Sequence, residues 1–143
     1  MRPGPDETRF ITSPEIWRVP TFSAAVAAPP SGAKVYVTAQ GALDRAGRVV
    51  GEGDPRRQID EAFANLGRAL AGAGIAPRHI VRVMHFFVDY EVDLLQTIFR
   101  NLNEMFAPDA MPASTGLIVA GFAEPGARYR ILAEGFVADS ENP

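Results

Sequence analysis

The stretch Met111-Pro112-Ala113-Ser114-Thr115-Gly116-Leu117-Ile118-Val119 decides how this chain folds. It leaves a proline-bearing loop, passes through small and hydroxyl side chains and ends in an apolar run, the profile of a loop feeding a strand expected over Gly116 to Ala120. Before it, Leu95, Ile98, Leu102 and Met105 recur at helical spacing from about Val92 to Phe106. Ala107-Pro108 ends that helix, because the residue before a proline avoids the helical region. After it, Tyr129 to Val137 is long and β-prone enough for a last strand.

Further upstream, Ile80 to Val88 is a Val/Phe-rich run, too short and too β-prone for a helix, and reads as a central strand. Asp54-Pro55 starts a helix: Asp accepts the first free backbone N–H groups, and proline loses no needed donor at the first helical position. Ile59, Phe63, Leu66, Leu70 and Ala73 form its apolar stripe, and Gly74 ends it. Arg56, Arg57, Asp60, Glu61 and Arg68 form its solvated face. Lys34 to Thr38 reads as a strand, and Ala42-Leu43 pairs with Arg48 to Val50 across a turn at Asp44 to Gly47. Phe10 to Val26 reads as an irregular arm ending in an edge strand near Phe22 to Val26. Residues 1–9 and 139–143 read as fraying tails.

The expected class is therefore α+β, a mixed sheet with two helices packed on one face. Val83, Phe86, Phe87, Val119 and Ile131 offer more apolar strand surface than two such helices hide, so self-association is expected to cover the other face.

Composition narrows the function classes. The 143 residues are 47% apolar and 22% charged, which suits one soluble domain. A net charge of −3 without a Lys/Arg cluster argues against a nucleic-acid surface, which needs a basic stripe. The absence of cysteine removes disulfides, thiolate catalysis and cysteine-ligated metal. No apolar stretch approaches a membrane span and the first residues lack a signal core, so a cytoplasmic protein is expected. His79 and His85 have no Asp/Glu/His companions at ligand spacing, so no metal site is expected, and His85 reads as a hydrogen-bonded core or interface residue. No Gly-rich phosphate loop, nucleophile elbow or Ser/His/Asp set stands out.

Met111 to Val119, together with Tyr36-Val37-Thr38-Ala39-Gln40-Gly41 and Ala133-Glu134-Gly135-Phe136-Val137, resembles the RidA/YjgF family of small trimeric imine and enamine deaminases over about Thr21 to Ala138. The resemblance implies a chorismate-mutase-like homotrimer with a barrel-like core of three sheets, ligand clefts between subunits, a small-molecule substrate and no cofactor. It also implies which residues line the cleft. Glu134 matches the last-strand glutamate that positions or activates water. Gln40 is retained, whereas Ala39 stands where the family has glycine and Phe22 where it has a cleft tyrosine. Thr97, Phe99 and Asn101 are the alternatives for the family's second-helix asparagine.

The family's Pro-Ala-Arg-Ser becomes Pro112-Ala113-Ser114-Thr115, and that departure decides the substrate question. An arginine clamps a carboxylate through two parallel charge-assisted hydrogen bonds, a geometry serine lacks. Losing such a buried pair costs on the order of 2–5 kcal/mol, so the usual 2-iminopropanoate is not the expected substrate. Ser114 and Thr115 would instead bind a neutral carbonyl, amide or imine nitrogen. Arg130 alternates with Glu134 on the last strand and is the candidate replacement cation, the alternative being a solvated or rim position. The expected protein is a hydrolase of imines or enamines, with Glu134, Ser114 and Thr115 catalytic. The alternative is a non-catalytic trimer that binds a small ligand.

Overall fold

The computed structural model describes residues 7–11, 14–15, 20–29 and 31–141. Most of the expected N-terminal tail and parts of the arm, at residues 12–13 and 16–19, lie outside the described residues. The elements run β1 (Arg9–Ile11), β2 (Ala25–Ala27), β3 (Gly32–Gly41), α1 (Pro55–Ala73), β4 (Ile80–Phe87), α2 (Leu94–Met105), β5 (Ala113–Ile118) and β6 (Tyr129–Ala138). The main sheet has the order β3-β6-β4-β5, with β4 and β5 parallel and the other pairs antiparallel. Parallel neighbours need a crossover, and α2 supplies it between β4 and β5.

The helices form for the reasons their sequences suggest. Asp54 accepts the Arg57 N–H at 3.1 Å, Pro55 opens α1, and Gly74 closes it in the left-handed region at φ 69°. Ile59, Ala62, Phe63, Leu66 and Leu70 are buried, and α1 packs on β3, β6 and α2. Ala73 is exposed, because the stripe ends a turn before the cap. On α2 the buried apolar residues are Leu94, Ile98 and Leu102; Leu95, expected inward, is only half-buried, because the stripe through Leu94, Ile98 and Leu102 leaves it at the margin. Buried Gln58 ties the loops together, donating to the Gly51 and Gly126 carbonyls at 3.2 and 3.0 Å and accepting from the Arg128 N–H at 2.8 Å.

Several expected boundaries move. β5 begins at Ala113, three residues before the expected start, because parallel pairing with β4 already holds Ala113 and Ser114 opposite Arg82 and Val83. Arg9–Ile11, read from the sequence as the end of a tail and the start of an irregular arm, instead forms β1 by pairing antiparallel with Ala25–Ala27. The expected hairpin reduces to one bridge, Leu43 to Val49, around an Asp44 carboxylate that accepts from the Ala46 and Arg48 N–H groups. The C-terminal tail is held rather than frayed at Asp139–Glu141: Glu141 lies 2.8 Å from His79 Nε2 and 3.4 Å from Arg78.

Alternation along the strands gives the sheet two distinct faces. Val83, His85, Phe87, Tyr129, Ile131 and Ala133 face the helices and are buried. Arg82, Met84, Phe86, Arg130, Leu132 and Glu134 face the other way and are half-buried or exposed, with Tyr36 70% exposed beside them. Close strand packing also explains Gly135: a Cβ there would sit 2.8 Å from the His79 carbonyl oxygen.

Candidate functional site

Register decides which site residues can meet. Val83, His85 and Phe87 of β4 lie opposite Ser114, Gly116 and Ile118 of β5, so all six side-chain positions share the helix-side face. There the Ser114 hydroxyl lies 2.8 Å from His85 Nε2, and His85 Nδ1 lies 2.7 Å from the Tyr129 hydroxyl. Ser114, His85 and Tyr129 thus form one chain across β5, β4 and β6.

Its surroundings are aromatic. Phe63 of α1 stacks on Tyr129 at 6.3 Å, Phe87 lies 5.3 Å from Tyr129, and Tyr90 meets Phe87 edge-on at 5.0 Å. Burial in this apolar shell lowers the His85 pKa to about 4 and raises that of Tyr129. Both groups are therefore neutral at pH 7. The outer end of the chain is accessible: Ser114 is half-buried, Gly116 is exposed and Ile118 is 69% exposed. The result is an apolar strip along β5 with a hydroxyl at its inner end.

The remaining sequence-derived residues fall at several places. Thr115 points to the opposite face from Ser114 and is exposed. Ser23 bridges to Ala113, its N–H donating to the Pro112 carbonyl at 3.1 Å, which carries half-buried Phe22 alongside the start of β5. Glu134 sits on the face away from the helices, where Arg82 donates to its carboxylate at 2.9 Å. Ser114 and Glu134 therefore lie on opposite faces of one chain's sheet.

Ala39 and Gln40 lie at the other edge, in and after the irregularity of β3, and Gln40 Nε2 donates to the Thr38 carbonyl at 2.9 Å. Three strand spacings, roughly 14 Å, separate that edge from β5. Arg130 alternates with Glu134 as expected, but its guanidinium pairs with Glu124 and lies 5.0 Å from the centre of the Phe122 ring. It is engaged locally. Asn101 is committed between the helices, donating to Asp60 at 2.8 Å and to the Thr97 carbonyl at 2.9 Å, while Thr97 is buried and Phe99 packs on the core.

His85 and Tyr129 are the residues that sequence reasoning missed as site components. Their signal was weak but readable: a lone histidine within an apolar strand, in phase with Ser114 once β4 and β5 are aligned in parallel. Among the described residues, no three His, Asp or Glu side chains converge as metal ligands, and no helix is long and apolar enough to cross a membrane. An open groove of about 460 Å³ between α1 and α2 is lined by Asp60, Phe63, Arg100, Asn101 and Glu104, away from Ser114.

Comparison with known proteins agrees with this architecture. Residues 15–133 match the family described as Endoribonuclease L-PSP. The Rid-family protein YyfB of Yersinia pestis superposes with a TM-score of 0.83 at 26% identity, over 92% of this chain and 99% of that one. The protein YJGH is similar at 29% identity and a TM-score of 0.64, over 82% and 84% of the two chains. Rv2704 of Mycobacterium tuberculosis, a member of the YjgF/YER057c/UK114 family, shares the fold at 21% identity and a TM-score of 0.59, over 81% and 86%. No curated protein sequence matches the chain.

Proposed function

Because the chain belongs to the endoribonuclease L-PSP family, with solved relatives among the Rid/YjgF proteins, we propose that it is a cofactor-free hydrolase of small imines, enamines or related activated C–N bonds. It acts in a cleft between subunits of a homotrimer, on a substrate other than the usual 2-iminopropanoate. The observation that carries this reading is the neutral Ser114–His85–Tyr129 chain at the position of the family's arginine. A hydroxyl backed by a neutral imidazole binds a carbonyl, amide or imine nitrogen; it does not clamp a carboxylate as a guanidinium does. The formal charge of −3 supports a small-molecule substrate rather than RNA.

In the proposed reaction Ser114 hydrogen-bonds the polar end of the substrate, and its apolar part lies along Gly116, Ile118 and Phe22. Water adds to the C=N carbon, its hydrogen passing to nitrogen; the carbinolamine then breaks its C–N bond, leaving a carbonyl product and ammonia. Glu134 activates the water. Because Glu134 and Ser114 occupy opposite faces of one sheet, the working pair comes from two subunits, Glu134 of one and Ser114 of its neighbour. Exposed Tyr36, together with half-buried Met84, Phe86 and Leu132, supports burial of that sheet face by self-association.

The test is ammonia release from freshly generated carboxylate-free imines and from 2-iminopropanoate, each against buffer, with the mass measured by light scattering. The expected result is a mass near three chains and acceleration confined to the carboxylate-free imines. A monodisperse monomer defeats the shared cleft. One observation favours a second reading, a non-catalytic ligand-binding trimer: Arg82 already occupies the Glu134 carboxylate. No imine accelerated, with small neutral ligands still raising the melting temperature, would select it.

A further inference from the structure

The chain from Tyr129 to Ser114 has a direction that follows from what each buried atom can do. Tyr129 is 1% exposed, and among the described residues its hydroxyl has one hydrogen-bond partner, His85 Nδ1. Were the phenol only to accept, its own O–H would be left buried and unmet, a costly state for a donor. It therefore donates, and Nδ1 accepts. A neutral imidazole that accepts at Nδ1 carries its hydrogen on Nε2. That N–H faces the Ser114 hydroxyl oxygen at 2.8 Å and donates to it. The serine's own hydrogen is then not taken up by His85, and half-buried Ser114 can offer it to a ligand.

We infer that Tyr129, His85 and Ser114 form a one-way hydrogen-bond chain that presents the Ser114 O–H to a neutral acceptor of the ligand, a carbonyl oxygen, amide oxygen or imine nitrogen. This rests on the proposed reading of the β5 strip as the ligand site, and adds the direction of the chain and two positioning residues, His85 and Tyr129. The chain cannot double as an anion clamp. His85 is surrounded by Phe63 of α1, Phe87 of its own strand, Tyr129 of β6 and Ser114 of β5, none of them charged. Burial holds it neutral at pH 7. Nor can it easily serve as a base through Ser114, since taking that proton would put an imidazolium into this apolar shell. Gly116, the next position on the same face, leaves the strip itself open; an added Cβ there would have only Phe87 within 4 Å, at 3.5 Å.

Two measurements on the full-length protein test the inference. A two-bond proton–nitrogen correlation spectrum of histidine-labelled protein at pH 7 reads which ring nitrogen of His85 carries hydrogen. Hydrogen on Nε2 alone is expected. Hydrogen on Nδ1, or on both, overturns the direction whatever the protein catalyses. Titration with propionamide and with propionate, followed on the Ser114 and Gly116 amides, reads the acceptor class. Propionamide is expected to bind more tightly than propionate, and Ser114→Ala to weaken it by about tenfold, as for loss of one neutral hydrogen bond. Equal or tighter propionate binding, or unchanged propionamide binding in Ser114→Ala, overturns it. If the Nε2 hydrogen and propionamide binding both hold while no imine is hydrolysed, the catalytic reading falls and the one-way chain stands.

Discussion

Replacing His85 with glutamine should flatten the acid limb of the stability curve, and the structure sets the size of the effect. Burial holds the His85 pKa at about 4 in the folded protein, against about 6.5 for an unfolded histidine. The folded state resists protonation, so above pH 6.5 both states are neutral and its stability is complete. As pH falls from about 6.5 to 4, the unfolded chain takes up a proton that the folded chain does not, and stability drops. Below about 4 both are protonated and the loss stops growing. A pKa difference of about 2.5, at about 1.4 kcal/mol each, amounts to about 3–4 kcal/mol in full, of which about 3 kcal/mol is reached at pH 4, where the folded imidazole is half protonated. Denaturant unfolding of wild type and His85→Gln at pH 7 and pH 4, at equal protein concentration, should show wild type losing about 3 kcal/mol more than the variant. Carboxylates such as Glu141, whose pKa its hydrogen bond with His79 lowers, add their own acid-side loss of stability, but they are common to both proteins and cancel. Parallel profiles would mean instead that the imidazole is solvated or already charged, and that His85 is not held neutral by burial.

Ser114→Arg should create binding of, or turnover on, 2-iminopropanoate-type substrates, since the open strip beside Gly116 has room for a guanidinium; unchanged behaviour in a folded trimer would mean that Phe22, beside the start of β5, already blocks the carboxylate. Glu134→Gln should preserve fold and ligand binding yet slow turnover by about 100-fold or more. An unchanged rate with a lowered melting temperature would instead assign Glu134 to its ion pair with Arg82. Gly135→Ala should destabilise by about 1–3 kcal/mol, seen as a melting temperature several degrees lower, because the new methyl meets the His79 backbone oxygen at 2.8 Å rather than a yielding side chain. An unshifted melting temperature would contradict that packing. Asp54→Ala should cost about 1 kcal/mol through loss of the α1 cap, and unchanged denaturant unfolding would remove that role.

The fold was legible in the sequence where periodicity and punctuation agree. Asp54-Pro55 and Gly74 bracket α1, the Val/Phe run of β4 stands out, and the strand–helix–strand order around Met111 to Val119 implies the mixed sheet. What the sequence hid is non-local. β1 is three residues long and has no periodicity of its own, and Arg9–Ile11 becomes a strand only through its pairing with Ala25–Ala27. The early start of β5 likewise depends on register with β4. The candidate site was legible at Ser114, because a hydroxyl residue stands where a family arginine is expected. Its partners were not, since His85 and Tyr129 lie 29 and 44 residues apart from Ser114 and from His85, respectively, and meet only across three strands. Ion pairing was equally invisible: Arg130 alternates with Glu134 in sequence but is taken up by Glu124.

A neutral hydroxyl at position 114, as proposed, selects and polarises a carboxylate-free C=N substrate. Steady-state ammonia release from freshly generated acetophenone imine, by wild type and by Ser114→Ala, tests it most directly. Wild type should accelerate hydrolysis over buffer, prefer this imine to 2-iminopropanoate, and lose about tenfold in kcat/KM on substitution, as for one neutral hydrogen bond made to the reacting group. Hydrolysis by Ser114→Ala within twofold of wild type, or a wild-type preference for 2-iminopropanoate, would contradict it.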